Sequence, residues 1–264
     1  MEAAFFDLDK TVISKSSSLA LGRPMYRAGL VSRSQMLKGA YAQLVYLLIG
    51  ADEKRMQKAK EGMLALTKGW DRADVEGVVS EALEQVMDPY IYQEALDLIA
   101  LHQALGRKVF IVSSSPEEIV RPLAARLGVR DVIATRVETE DGRYTGVLAF
   151  YCYGPSKAEA MREMAERDGL DLEASYAYSD SGTDAPMLEA VGNPVAVNPD
   201  RELRRLAEKR GWQIRDFRRP VPLRRRFGQI SRPSGHVAAL AAAAVVAAVF
   251  GWVYLRPRLA RRRA

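Results

Sequence analysis

The chain has 264 residues, 48% of them apolar, enough for one sizeable domain or for a domain with an insert. A single cysteine, Cys152, excludes an internal disulfide, and two distant histidines, His102 and His236, make thiolate–imidazole zinc sites and Ser-His-Asp chemistry hard to build. The net charge of +6 is unevenly spread: residues 215–264 carry twelve arginines against one acid, Asp216, a net +11 that leaves residues 1–214 at −5. An acidic globule with a basic tail is a poor grip for nucleic acid and a better fit to a membrane surface.

Ala3 to Phe6 form a short apolar run that delivers Asp7-Leu8-Asp9-Lys10-Thr11, the pattern of a buried strand with polar groups at its C-terminal end. No charged-then-apolar leader precedes it, so no secretory signal is expected. Residues 18–87 switch to helical periodicity, with helices expected over 19–28, 34–49, 53–66 and 71–87 and Gly29, Gly50 and Gly69 as punctuation. After Pro89 helix and strand alternate, as in βαβ units of a parallel sheet. Strands are expected at 108–112, 132–135, 175–178, 194–197 and 212–214, and helices at 95–105, 116–127, 156–167, 184–191 and 200–210. Residues 137–149 read as a hairpin turning at Asp141-Gly142.

The polar groups at the ends of these strands carry the chemistry. Asp7 and Asp9 lie two apart, a spacing that in a strand puts both carboxylates on one side, and two crowded acids titrate unequally. Alone, Asp-x-Asp is equally a surface turn. Ser113 follows the strand at 108–112 and is either a phosphate ligand or a helix cap. Lys157 opens a helix, against the macrodipole, which makes a purely structural role less attractive. Asp180 and Asp184 follow the strand at 175–178, where a carboxylate suits Mg²⁺; Asp184 could instead cap the next helix. All of these arrive at the edge where open α/β sheets place their sites.

In order and spacing these residues resemble the haloacid dehalogenase superfamily, specifically its phosphoserine-phosphatase-like branch (subfamily IB) with a small helical cap. The first motif is Asp7-Leu8-Asp9-Lys10-Thr11, the second Ser113, the third Lys157 and the fourth Ser179-Asp180-Ser181-Gly182-Thr183-Asp184. The resemblance implies an α/β fold with a Rossmann-like parallel sheet, divided as a core of 1–17 and 88–214 with a cap at 18–87. It implies a phosphomonoester hydrolase in which Asp7 is the nucleophile and Asp9 the general acid/base. Ser113 and Lys157 would bind phosphate, Asp7, Asp9 and Asp180 would hold Mg²⁺, and Asp184 would orient the metal shell or Lys157. An acid at position 9 is the mark of a phosphatase rather than a dehalogenase. One departure concerns substrate: phosphoserine phosphatases carry an amine-reading Glu nine residues after the nucleophile, where this chain has Ser16. Lys15, Arg23 and Arg27 are cap cations that either read an acidic leaving group or simply face solvent.

Residues 215–236 read as a basic linker, 237–255 as a transmembrane or membrane-surface helix, and 256–264 as a basic tail. The nineteen residues from Val237 to Leu255 hold no charge and lie between Arg224-Arg225-Arg226 and Arg261-Arg262-Arg263. The expectation is an enzyme tethered to the cytoplasmic face of the membrane, acting on a small phosphorylated metabolite or a lipid phosphomonoester, with no nucleic-acid partner. Two alternatives stand beside it: a membrane-anchored regulatory protein that keeps the fold, and a phosphotransferase using the same residues.

Overall fold

The computed structural model describes residues 1–35, 61–62, 64–86 and 88–218. The expected helices at 34–49 and 53–66 fall largely outside the described residues, as do most of the linker and all of the expected apolar helix at 237–255. Among the described residues no helix is long and apolar enough to cross a membrane.

Among the described residues the sheet has seven strands in the order β4-β3-β2-β1-β5-β6-β7: β1 (Ala3–Asp7), β2 (Lys108–Pro116), β3 (Asp131–Glu140), β4 (Arg143–Phe150), β5 (Tyr176–Ser179), β6 (Asn193–Val197) and β7 (Gln213–Arg215). All neighbours are parallel except β3 and β4. β1 is central and buried along its whole length, which is why its sequence is a continuous apolar run rather than an alternation. Its side chains still divide by parity: Ala4 and Phe6 enter one core and Ala3 and Phe5 the other. Phe6 stacks on Tyr178 at 4.3 Å between ring centroids, and Phe5 stacks on Phe110 at 4.9 Å. The expected strand 132–135 and the first arm of the expected hairpin are one strand, β3, which turns at Asp141-Gly142 into β4.

Helices cover both faces. Between β1 and β2 lie α1 (Ser17–Ala20), α2 (Gly22–Arg27), α3 (Arg72–Val86) and α4 (Gln93–Ala104). Then come α5 (Glu117–Arg126), α6 (Pro155–Asp168), α7 (Ala185–Glu189) and α8 (Arg201–Arg210). The single helix expected over 19–28 is broken in two. Pro24 has no N–H to return to Ala20, so the chain restarts a helix at Gly22. The segment before α3 is tied to the hairpin: Gly69 N–H donates to the Tyr144 carbonyl at 2.8 Å, Tyr144 N–H to that of Trp70 at 3.1 Å, and Arg72 N–H to that of Gly142 at 2.9 Å. Glu118 at the start of α5 is buried and lies 3.4 Å from Arg72, a second tie between α3 and the sheet domain.

On the face opposite α6, buried His102 shares a 2.8 Å hydrogen bond between Nε2 and the Tyr178 hydroxyl, while Arg107 approaches its Nδ1 at 3.2 Å. A guanidinium can only donate, so Nδ1 is the acceptor and Nε2 carries the proton. Burial, with Arg107 adding to it, lowers the His102 pKa to about 4. The sheet domain does not stop at residue 214. Phe217 is buried, packs edge-on against Tyr92, and its N–H donates to Asn198 Oδ1 at 2.8 Å.

Gly192 shows how tightly the β5–β6 connection is closed. A Cβ there would lie 1.9 Å from the Glu173 carbonyl oxygen, which leaves room only for glycine. Gly192→Ala is expected to destabilise the fold by about 3 kcal/mol, read as a fall in the urea midpoint with an unchanged m-value.

Candidate active site

The site lies at the C-terminal edge of β1 and its neighbours β2 and β5. Parity carries Asp7 to the same face as Ala3 and Phe5, the face covered by α6. There the Lys157 ammonium, in the first turn of α6, donates to Asp7 Oδ1 at 2.6 Å and to Asp184 Oδ2 at 2.7 Å. Asp184 is held in turn by the Ser179 hydroxyl at 2.7 Å. Burial works against a charged ammonium, yet the two carboxylates outweigh it and hold the Lys157 pKa above its ordinary range. This explains a lysine at the positive end of a helix: its charge answers to Asp7 and Asp184, not to the dipole.

β1 ends at Asp7, so the strand period does not extend to Asp9. Lys10 takes a left-handed backbone with φ of 65°, and the N–H groups of Val12 and Ile13 both return to the Leu8 carbonyl, at 2.9 and 3.0 Å. This turn sends Asp9 to different partners. Its Oδ1 accepts the Ser17 N–H at 2.8 Å, and its Oδ2 lies 3.2 Å from each of the Ser17 and Ser115 hydroxyls. Burial raises the Asp9 pKa, and these hydrogen bonds offset part of the rise.

Asp180 sits one residue beyond β5, 3.4 Å from the Thr11 hydroxyl that donates to it. Its loop is fastened by Asp200, whose Oδ2 accepts the Gly182 N–H at 3.0 Å while its Oδ1 caps α8 through Leu203 N–H at 2.8 Å. Gly182 is required by this closure, because a Cβ would meet the Glu202 side chain at 2.8 Å. Ser113 is buried one residue past the Asp7–Val112 register pair, and its hydroxyl accepts the Ser115 N–H at 3.1 Å. Cys152 lies close behind the site, but burial pushes its thiol up to about 12, which keeps it inert.

The structure thus brings Asp7, Lys157 and Asp184 into direct contact, holds Asp9 in a separate serine pocket, and sets Asp180 on the flank with Thr11. Ser17, Ser115 and Asp200 do not stand out in the sequence, and Thr11 and Ser179 stand in the first and fourth motifs with no role of their own. Ser17 and Ser115 lie in runs, Ser16-Ser17-Ser18 and Ser113-Ser114-Ser115, in which composition does not say which hydroxyl turns inward.

A haloacid dehalogenase-like hydrolase model matches residues 4–189. The chain belongs to that family. Over 244 residues, 92% of this chain and 83% of the relative, it is 50% identical to a Mycobacterium tuberculosis protein named a probable phosphatase. It is 34% identical to a phosphoserine phosphatase of the same species over 247 residues, 93% of this chain and 79% of that one. A histidinol-phosphatase of Neisseria meningitidis is 31% identical over 234 residues, 81% of this chain and 98% of the relative. Within the haloacid dehalogenase-like hydrolases the chain is phosphoserine-phosphatase-like, and it is a phosphatase.

The oxygen-rich edge also fits a hard divalent cation. Among the described residues no three Asp, Glu, His or Cys side chains are arranged to hold a metal by themselves. Magnesium asks for less, one or two carboxylates with water and substrate phosphate supplying the rest. Asp7 and Asp180 provide two. Burial first, then repulsion from Asp184, pushes the Asp180 pKa up to about 7, and burial likewise raises that of Asp7 despite Lys157. A cation beside them would offset that cost.

The elevated Asp180 has a testable consequence in metal-free protein. Its folded pKa of about 7 exceeds the reference 3.8, so the folded state holds the extra proton between those values and bears the charged carboxylate at higher pH. With EDTA present, Asp180→Asn is expected to be more stable than wild type at pH 8, by up to about 4 kcal/mol. That gain should shrink as pH falls through about 7 and vanish near 4, measured by urea unfolding at each pH.

Proposed function

We propose that this hydrolase releases phosphate from small phosphomonoesters through a phosphoryl-aspartate on Asp7, with Asp9 as the proton carrier. The observation that supports this reading most is the Lys157 ammonium seated between Asp7 and Asp184, with Asp9 held apart by its own hydrogen bonds. Lys157 occupies Asp7 Oδ1, so Oδ2 is the oxygen for attack. As the Asp7 oxygen bonds to phosphorus, the ester P–O bond breaks and Asp9 gives its proton to the departing alkoxide. Asp9 then takes a proton from water, the hydroxide oxygen bonds to phosphorus, and the bond to Asp7 breaks to return a carboxylate and inorganic phosphate. Lys157 stays fixed throughout and opposes the charge on the transferring group, with the Ser113 hydroxyl and the N–H groups that follow it as further donors. Asp184 keeps Lys157 in place. Asp7, the Asp9 carbonyl and Asp180 would hold Mg²⁺, which when bound neutralises phosphate charge.

The relatives named for phosphoserine and for histidinol phosphate share a chemistry, a phosphate ester of a small amino alcohol, and this is the substrate class we favour. Ser16, standing where the phosphoserine enzymes carry Glu, weighs against phosphoserine itself. A lipid phosphomonoester has support only from the tail.

Purified protein is expected to hydrolyse p-nitrophenyl phosphate with Mg²⁺ and to lose that activity in EDTA. Asp7→Asn should lose about a thousandfold or more in kcat. Turnover by Asp7→Asn at the wild-type rate would refute the mechanism.

The uncharged stretch 237–255, close to the length that spans a bilayer, supports the C-terminal tether that we propose at the cytoplasmic face. Because Phe217 belongs to the folded domain, the informative truncation follows Arg218. Full-length protein is expected in the membrane fraction and the truncated form in the supernatant; identical sedimentation would remove the tether.

A further inference from the structure

The Asp9 carboxyl is gripped through both oxygens, and the grip comes from two distant stretches of chain. Ser17 opens α1, at the entrance to the helical segment, and supplies a backbone N–H to Oδ1 and a hydroxyl to Oδ2. Ser115 comes from the end of β2, where the register with β3 slips between Ser113 and Pro116, and supplies a second hydroxyl to Oδ2. The two hydroxyls are themselves 2.8 Å apart. Ser17 is wholly buried and Ser115 is 5% exposed. The two hydroxyls and Asp9 Oδ2 form a triangle of O···O contacts of 2.8, 3.2 and 3.2 Å among buried residues, so each oxygen helps to place the other two.

We propose that Ser17 and Ser115 are positioning residues for Asp9, holding its carboxyl where it can hand a proton to the leaving oxygen. This inference rests on the phosphatase reading above. A buried hydroxyl pair is a costly way to fill space, since two alanines would do so without polar groups to satisfy. What the pair adds is direction. With Oδ1 fixed by Ser17 N–H and Oδ2 by the hydroxyls, both side-chain torsions of Asp9 are set. A proton donor misplaced by about 1 Å costs on the order of a hundredfold in rate. The grip also joins the first turn of the helical segment to the end of β2, so Asp9 is fully held only when these two parts are packed together.

Positioning of a general acid has a signature that a structural role lacks. Proton donation matters most for a basic leaving group and least for an acidic one, so its loss must scale with leaving-group basicity. The probes are substituted phenyl phosphates of similar shape, from p-nitrophenyl phosphate to phenyl and p-methoxyphenyl phosphate, with kcat/KM reporting phosphoryl transfer to Asp7. The full chain would be assayed as wild type, Ser17→Ala, Ser115→Ala, the double variant and Ser115→Thr, with Asp9→Asn setting the limit. For the double variant kcat/KM is expected to fall less than about threefold with p-nitrophenyl phosphate and about tenfold or more with p-methoxyphenyl phosphate. Each single variant should lie between, because the remaining hydroxyl can still donate, and Ser115→Thr should restore most of the loss. Thermal unfolding identifies a variant that has lost its fold; if the double variant does so, the single variants carry the test. An equal loss across the series, or no loss, in folded variants overturns the inference while leaving the phosphatase reading standing. A wild-type chain inert on every probe, with and without Mg²⁺, overturns both.

Discussion

The buried ammonium of Lys157 is the interaction on which this molecule turns. It lies between two carboxylates from different parts of the chain, Asp7 at the end of the central strand and Asp184 beyond β5, and it reaches them from the first turn of α6. Taking an ammonium out of water costs several kcal/mol, and only close partners on more than one side make that tolerable. The three elements are therefore tied together at this one point by charge as well as by the apolar cores on the two sheet faces. One ammonium does not balance the acids gathered here, however. Burial drives Asp7, Asp9 and Asp180 toward protonation, a cost that a divalent cation beside Asp7 and Asp180 would offset.

The two aspartates of the opening motif are adjacent in sequence yet live in different environments, and the separation is made by one turn. Lys10 adopts a positive φ, and the chain folds back so that two amides share the Leu8 carbonyl. Asp7 is left facing a fixed cation, while Asp9 faces neutral hydroxyls and an amide. Burial raises both pKa values, opposed at Asp7 by the ammonium and at Asp9 by neutral hydrogen-bond donors. The two carboxylates thus differ by their neighbours rather than by residue type.

Much of this was legible in the sequence because the parallel sheet writes itself plainly. β1, β2 and β6 are short apolar runs followed by polar groups, and the helices between them end at glycines such as Gly106, Gly128 and Gly169, all with positive φ. Asp7, Asp9, Ser113, Lys157, Asp180 and Asp184 stand out for the same reason: each lies at or beyond the end of an apolar strand run or in the first turns of the helix that follows. Other features were hidden. β3 is polar and exposed over its second half, so it read as two pieces, and the break at Pro24 was lost in an otherwise helical pattern. Strand parity, which puts Asp9 on the same side as Asp7, stops at Asp7. Ser17 and Ser115 were hidden because a serine run has no period, and only the register slip in β2 and the turn after Lys10 select the inward members. The end of the domain was misjudged because Phe217 is a lone aromatic in an arginine-rich stretch, and only the contact with Tyr92 shows where it belongs.

The position of β1 bears on how the chain is made. It emerges in synthesis well before the strands it pairs with: Ala3 pairs with Lys108 and Ala4 with Tyr176. Until β5 has been translated, a strand of four apolar residues and an aspartate has an open edge and no finished sheet to enter, the kind of segment that invites wrong pairings. Asp7 meets its cation only after α6 exists, so the nascent chain has no assembled pocket for most of its synthesis. Such long-range pairing is slow to form, and folding of this domain is committed late, near the moment when the second half of the sheet closes on the first.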